Sequence, residues 1–139
     1  MIIRIATAIL MTFALTLATA DETKAQDGLD EAKVVAITMH ADWCGTCQDL
    51  NPKVDNVKPY FEDEGVLFTK FDFTDDYTIH QTRLMANWIG IGELFTKSQE
   101  RGATGYMILI DPDTKEEIGR ITNQKDEQEI RQTIAALLD

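Results

Sequence analysis

The chain predicts an α/β domain in which a central mixed β-sheet is flanked by helices, with a long helical insertion before a closing β-hairpin. Three observations carry this prediction. Apolar or β-branched runs recur as strands at "VVAITMH" (34–40), "VLFTKFDF" (66–73) and "YMILI" (106–110). Apolar residues at helical spacing lie between and after those runs. The turn-forming "DPDTKE" joins the third run to a further strand, "EIGRI" (117–121). At 139 residues the chain has room for one domain with an ordinary core.

In chain order, the first twenty residues, "MIIRIATAILMTFALTLATA", carry one charge, Arg4, then an apolar run from Ile5 to Leu17 and the small-residue ending Ala18-Thr19-Ala20. This is the order of a secretory signal peptide, and the run is shorter than the roughly 20 apolar residues of a membrane span. Residues 1–20 are therefore expected to be a signal peptide cleaved after Ala20, which places the protein in the periplasm or outside the cell. An uncleaved N-terminal anchor is the alternative. Residues 21–27 are polar and aperiodic, a flexible leader, and the domain is expected over 28–139, with "LDEAK" forming a short helix before the first strand.

From about Cys44 to Glu64, Leu50, Val54, Val57 and Phe61 form the apolar stripe of a helix. Pro52 predicts a kink, and Pro59 a second kink or a break, because each removes an amide donor and crowds the preceding turn. Between Phe73 and Gly102, Leu84, Trp88, Ile91 and Phe95 share one helical stripe interrupted by Gly90 and Gly92, so one or two helices are expected. Gly90 and Gly92 do not form a phosphate loop, since the strand before them and the remaining glycine spacing are both missing. Ile130, Ile134, Leu137 and Leu138 mark a closing amphipathic helix.

Charge excludes one class of partner. The whole chain carries a net −11, and loss of Arg4 with the signal leaves 12 basic against 24 acidic residues, a net of −12. That balance repels phosphates and argues against nucleic acid.

Chemistry concentrates in "HADWCGTCQDLNP" (40–52), which holds both cysteines, Cys44 and Cys47. A two-residue spacing closes too small a ring to staple the fold. Unpaired amides and the helix dipole at a helix start stabilise a thiolate, commonly lowering a cysteine pKa of about 8.5 by one to several units. Cys44 is thus the expected nucleophile and Cys47, one turn on, the more buried resolving thiol. Gly45 leaves space for a substrate backbone. Trp43 is either an apolar plate beside the site or a core tryptophan.

"ADWCGTC" with Pro52 five residues after Cys47 resembles the A-x-W-C-x-x-C-x4-P motif of the thioredoxin family, and "TGYMILIDPDTKEEIGRI" resembles that family's closing hairpin. The resemblance covers about Leu29 to Leu138. It implies a thioredoxin-like fold, a thiol-disulfide oxidoreductase without a bound cofactor, and protein thiols or disulfides as partners. A substrate surface around Trp43, Gly45, Thr46, Thr104 and Gly105 is implied as well. "ADWC" with "FTKFDFTDD" is most similar to periplasmic members such as the thioredoxin-like domain of the transmembrane electron-relay reductase. A membrane-bound electron donor and a monomeric state are the matching expectations, with electron flow leaning slightly towards reduction of substrate.

Three departures from the family pattern stand out. Thr38 occupies the place of the buried acid that helps deprotonate the resolving thiol, so proton transfer there needs another group or water. Gly105 stands where the family has a cis-proline; a cis bond before a non-proline residue costs about 3 kcal/mol, so a trans bond and an altered substrate ledge are expected. The segment 74–102 is longer than the family's connection, and either caps the groove or adds core. His40, four residues before Cys44, replaces an aromatic residue: it favours the Cys44 thiolate, ligates metal, or is a hydrogen-bonded strand-end histidine. The lysine at Lys70 matches one that partners the missing acid, and His80 reads as surface. Two other function classes stay open. One is a copper or zinc carrier using Cys44, Cys47 and His40, as in thioredoxin-like copper chaperones of respiratory oxidase assembly. The other is an inactive thioredoxin-fold binding module.

Overall fold

The computed structural model describes residues 32–138. The expected signal peptide, its cleavage point, the leader and the start of the domain lie outside them. Of the expected "LDEAK" helix only Ala32 and Lys33 are described, and neither is helical.

Four strands form the sheet among the described residues: β1 (Val34–His40), β2 (Val66–Asp72), β3 (Tyr106–Ile110) and β4 (Glu117–Thr122), in the order β2-β1-β3-β4. The β1 and β2 strands are parallel, with Thr38 opposite Lys70. The β1–β3 and β3–β4 pairs are antiparallel, giving the mixed sheet expected. Between β1 and β2 the chain crosses through α1 (Gly45–Val57), as a parallel pair requires. Helices α2 (Asp76–Trp88) and α3 (Gly92–Arg101) lead from β2 to β3, and α4 (Glu127–Ala135) closes the chain.

Alternation along the strands divides the core in two. On one face Ile37, Met39, Phe71, Ile108 and Ile110 pack with Ala86, Ile91 and Phe95 of the α2–α3 segment. Phe95 stacks on Phe73, ring centroids 5.5 Å apart, and meets Phe71 edge-on at 5.6 Å. On the other face Val34, Ala36, Met107, Leu109 and Ile121 pack with Leu50, Val54 and Val57 of α1 and Ile130 and Ile134 of α4.

Local signals set the element ends. Helix α1 contains Pro52 and stops at Val57; Pro59 then sits in a short 3-10 segment, Lys58–Phe61, so the break takes the form of a tighter turn and the α-helix does not continue to Glu64. Reciprocal side-chain caps start α2 (Asp75 with Thr78) and α4 (Asp126 with Glu129). In the hairpin turn the Asp111 carboxylate accepts the amides of Asp113 and Thr114, both at 2.8 Å. Those bonds, Thr114 foremost, hold its pKa below the usual carboxylate value.

The insertion is two helices, and its predicted stripe is corrected. Ile91 and Phe95 are buried, but Leu84 and Trp88 are exposed. Gly90, at φ +84°, ends α2 and resets the helical phase, so the residues before and after it do not share a face. The inner face of α2 instead uses Thr82 and Ala86.

Candidate active site

The pair lies just beyond the carboxyl end of β1, where ligands meet open α/β sheets. Cys44 is the N-cap of α1, with extended backbone (φ −89°, ψ 110°), and Cys47 occupies the first turn. Their Cα atoms are 5.3 Å apart and the sulfurs are joined in a disulfide. Both cysteines are buried, Cys47 more deeply, at 1% exposure against 5%. The Cys47 amide, at the helix start, is shared between Cys44 Sγ and the Cys44 carbonyl oxygen, each at 3.1 Å. Cys47 Sγ lies 3.7 Å from the Met39 carbonyl oxygen, which the reduced thiol can use as an acceptor.

Of the residues expected around the pair, Trp43 is 64% exposed, which fits an apolar plate and not a core tryptophan. Its indole Nε1–H donates to the Thr74 carbonyl at 3.1 Å. Gly45 is exposed, and a Cβ built on it would meet nothing within 4 Å. Thr46 Oγ1 is 3.3 Å from Cys44 Sγ. Gly105 is buried directly over the pair, where a built Cβ would fall 2.1 Å from Thr46 Oγ1 and 3.3 Å from Cys44 Sγ. All described peptide bonds are trans, including the one before Gly105, whose φ is +83° and whose amide donates to the Met39 carbonyl at 2.8 Å. Half-buried Thr104 immediately precedes it.

His40 is tied on both ring nitrogens. Asn51 Nδ2 donates to Nδ1 at 3.0 Å, leaving Nε2–H to donate to the Asp42 carboxylate at 3.1 Å. The ring is thus hydrogen-bonded at the strand end, as the third of the three readings expects. Among the described residues no group of three or more His, Cys, Asp or Glu side chains is arranged to hold a metal. Thr38 is buried, at 7% exposure. It borders a cleft of about 310 Å³ that Asn51, Asp55, Lys58 and Lys70 also line, so polar side chains and space for water surround the site of the missing acid. Lys70 reaches Asp72 at 3.4 Å, and His80 is exposed.

Residues at the end of β2, not singled out from the sequence, fix the loop that carries the pair. Thr74 Oγ1 accepts the Asp42 amide at 3.0 Å and donates to the Asp72 carboxylate at 2.5 Å, while the Thr74 amide donates to the same carboxylate at 3.0 Å. Burial raises the Asp72 pKa, but the two Thr74 bonds, with Lys70 and His40 behind them, outweigh it and hold the carboxyl below its usual value. Asp72, Thr74, Asp42 and Trp43 thus form one latch. The polar "TDD" after the strand was its only signal in the sequence.

Comparisons with known proteins identify the family and the fold. A family model described as thioredoxin matches residues 16–86. The protein disulfide-isomerase of Humicola insolens is 37% identical over 59 residues, 42% of this chain, and the match spans only 10% of that protein's length. Among solved structures, the Malassezia sympodialis thioredoxin superposes with a TM-score of 0.50 at 18% identity, over 85% of this chain and 88% of that one. This is a likeness of fold. The Fasciola hepatica thioredoxin gives 0.47 at 21% identity, over 84% and 90%.

Proposed function

The chain belongs to the thioredoxin family, and from that premise we propose that it is a thiol-disulfide oxidoreductase acting on protein thiols and disulfides through Cys44 and Cys47. The observation that carries this is the bonded pair at the start of α1, with the outer sulfur accepting the Cys47 amide. In the reductive direction, the Cys44 thiolate attacks one sulfur of a substrate disulfide and the other substrate sulfur leaves as a thiolate. Cys47, once deprotonated, attacks Cys44 Sγ in the resulting mixed disulfide, expels the second substrate thiolate and closes the Cys44–Cys47 disulfide. Two electrons pass to the substrate, and a dithiol donor must restore the pair. The Met39 carbonyl orients the Cys47 thiol, whose proton passes to another group or to water, since Thr38 cannot take it.

Direction, donor and location are finer parts of the same proposal. We favour reduction of substrate, a membrane-bound donor, a monomeric enzyme and export with cleavage after Ala20; the support for export is the order of segments in residues 1–20. The metal-carrier reading has less support, because Asp42 and Asn51 occupy both ring nitrogens of His40. The inactive-module reading rests on Thr38 and Gly105 alone.

The test is an equilibrium titration of the pair against glutathione, with insulin reduction measured in parallel. A reversible two-electron transition and donor-dependent insulin reduction that disappears in Cys44→Ser are expected. Full activity in Cys44→Ser would overturn the mechanism. An N-terminus beginning at Asp21 on the exported protein is the matching result for location, and one beginning at Met1 would contradict it.

A further inference from the structure

The residue between the cysteines and the glycine above them make one device. Cys44 Sγ carries no hydrogen in the disulfide, so at 3.3 Å the Thr46 hydroxyl is the donor and the sulfur the acceptor. The sulfur therefore faces two donors, this hydroxyl and the Cys47 amide at 3.1 Å. The hydroxyl has that position only because residue 105 has no side chain. A Cβ there would lie 2.1 Å from Thr46 Oγ1 and 2.5 Å from Thr46 Cβ, nearer than real Cβ atoms approach, and the φ of +83° also disfavours any other residue.

We propose that Thr46 is a catalytic residue whose hydroxyl donates a hydrogen bond to the Cys44 thiolate, and that Gly105 is the positioning residue that leaves room for it. The argument deepens the oxidoreductase reading and rests on it for its biological meaning. Its physical content is separate, because a bond to sulfur needs no substrate. A donor gains more from an anionic acceptor than from a neutral one. The hydroxyl thus stabilises the reduced, ionised pair more than the disulfide, and makes the protein a weaker reductant than it would be without Thr46. Where the family places a proline against the pair, this chain uses the vacated volume for a sulfur-directed donor.

The test compares Thr46→Val, which keeps the shape and loses the hydroxyl, with Thr46→Ser, which keeps the hydroxyl. Thr46 is exposed, so both variants fold. Two readouts apply to the reduced protein: the pH profile of iodoacetamide alkylation at Cys44, mapped by mass spectrometry, and the equilibrium constant with glutathione. For Thr46→Val the alkylation midpoint should rise by about one pH unit, and the equilibrium should move about tenfold towards the disulfide, a potential lower by about 30 mV. Thr46→Ser should restore both. Gly105→Ala, which must displace the Thr46 side chain, should shift both in the same direction as Thr46→Val. Identical profiles for wild type and Thr46→Val, or an equal shift in Thr46→Ser, would overturn the assignment. Neither readout needs a protein substrate, so a failure to reduce insulin would count against the oxidoreductase reading and leave this result to stand or fall separately.

Discussion

Replacing Thr74 by valine removes one hydroxyl from the latch and almost no volume. Two bonds are lost: the one donated to the Asp72 carboxylate at 2.5 Å and the one accepted from the Asp42 amide at 3.0 Å. A hydrogen bond to a charged group contributes about 1.5–3 kcal/mol, and Asp72, whose side chain is 22% exposed, belongs at the lower end. Asp42 is exposed, so water replaces most of the second bond, worth about 0.5 kcal/mol more. Thr74→Val should therefore destabilise the oxidised protein by about 2 kcal/mol at pH 7, or about 8 °C in Tm for a domain of this size. The loss depends on pH with a definite sign. Asp72 has a native pKa below its ordinary 3.8, so the stabilisation tied to its charge is complete well above 3.8. It is lost as the pH falls below 3.8 towards the lowered native value. Urea unfolding followed by tryptophan fluorescence at pH 7 and pH 3 reads both effects, and the gap between wild type and variant should be smaller at pH 3. A difference under about 0.5 kcal/mol at pH 7, the size of an ordinary surface change, or an equal gap at both pH values would refute the reasoning.

Two further predictions test corrected or competing readings. Leu84→Gln and Trp88→Gln should each change stability by no more than about 0.5 kcal/mol, whereas Ile91→Ala, at a buried site, should cost about 2–5 kcal/mol in the same urea assay; a large loss at Trp88 would return it to the core. Zinc titration of reduced wild type and His40→Ala should give equal affinities, because Asp42 and Asn51 already engage the ring. A stoichiometric site abolished by His40→Ala would revive the metal-carrier reading.

The strands were legible because continuous apolar runs have few alternatives: β1 and β3 begin and end where the sequence places them, while β2 stops one residue early, at Asp72. The cysteine pair was legible for a similar reason, since a helix start after a buried strand fixes where both sulfurs lie. Helical phase in the insertion was not, because one left-handed residue, Gly90, reorients everything after it, and because Thr82 and Ala86 carry an inner face that apolar spacing overlooks. The latch was invisible for a different reason. Its bonds join Asp42 and Trp43 to Thr74 across 32 and 31 positions of sequence, and no local pattern records which loops meet. The Thr46–Gly105 contact is of the same kind: the missing proline is visible in the sequence, but what fills its place is visible only in space.

The most direct measurement of the central claim uses reduced Cys47→Ser, in which the outer sulfur can capture a substrate and nothing can release it. Mixed with a protein disulfide such as insulin, it should accumulate a one-to-one adduct mapped by mass spectrometry to Cys44, and Cys44→Ser should form almost none. Absence of the Cys44 adduct, or equal capture by the two variants, would contradict an attacking Cys44 resolved by Cys47.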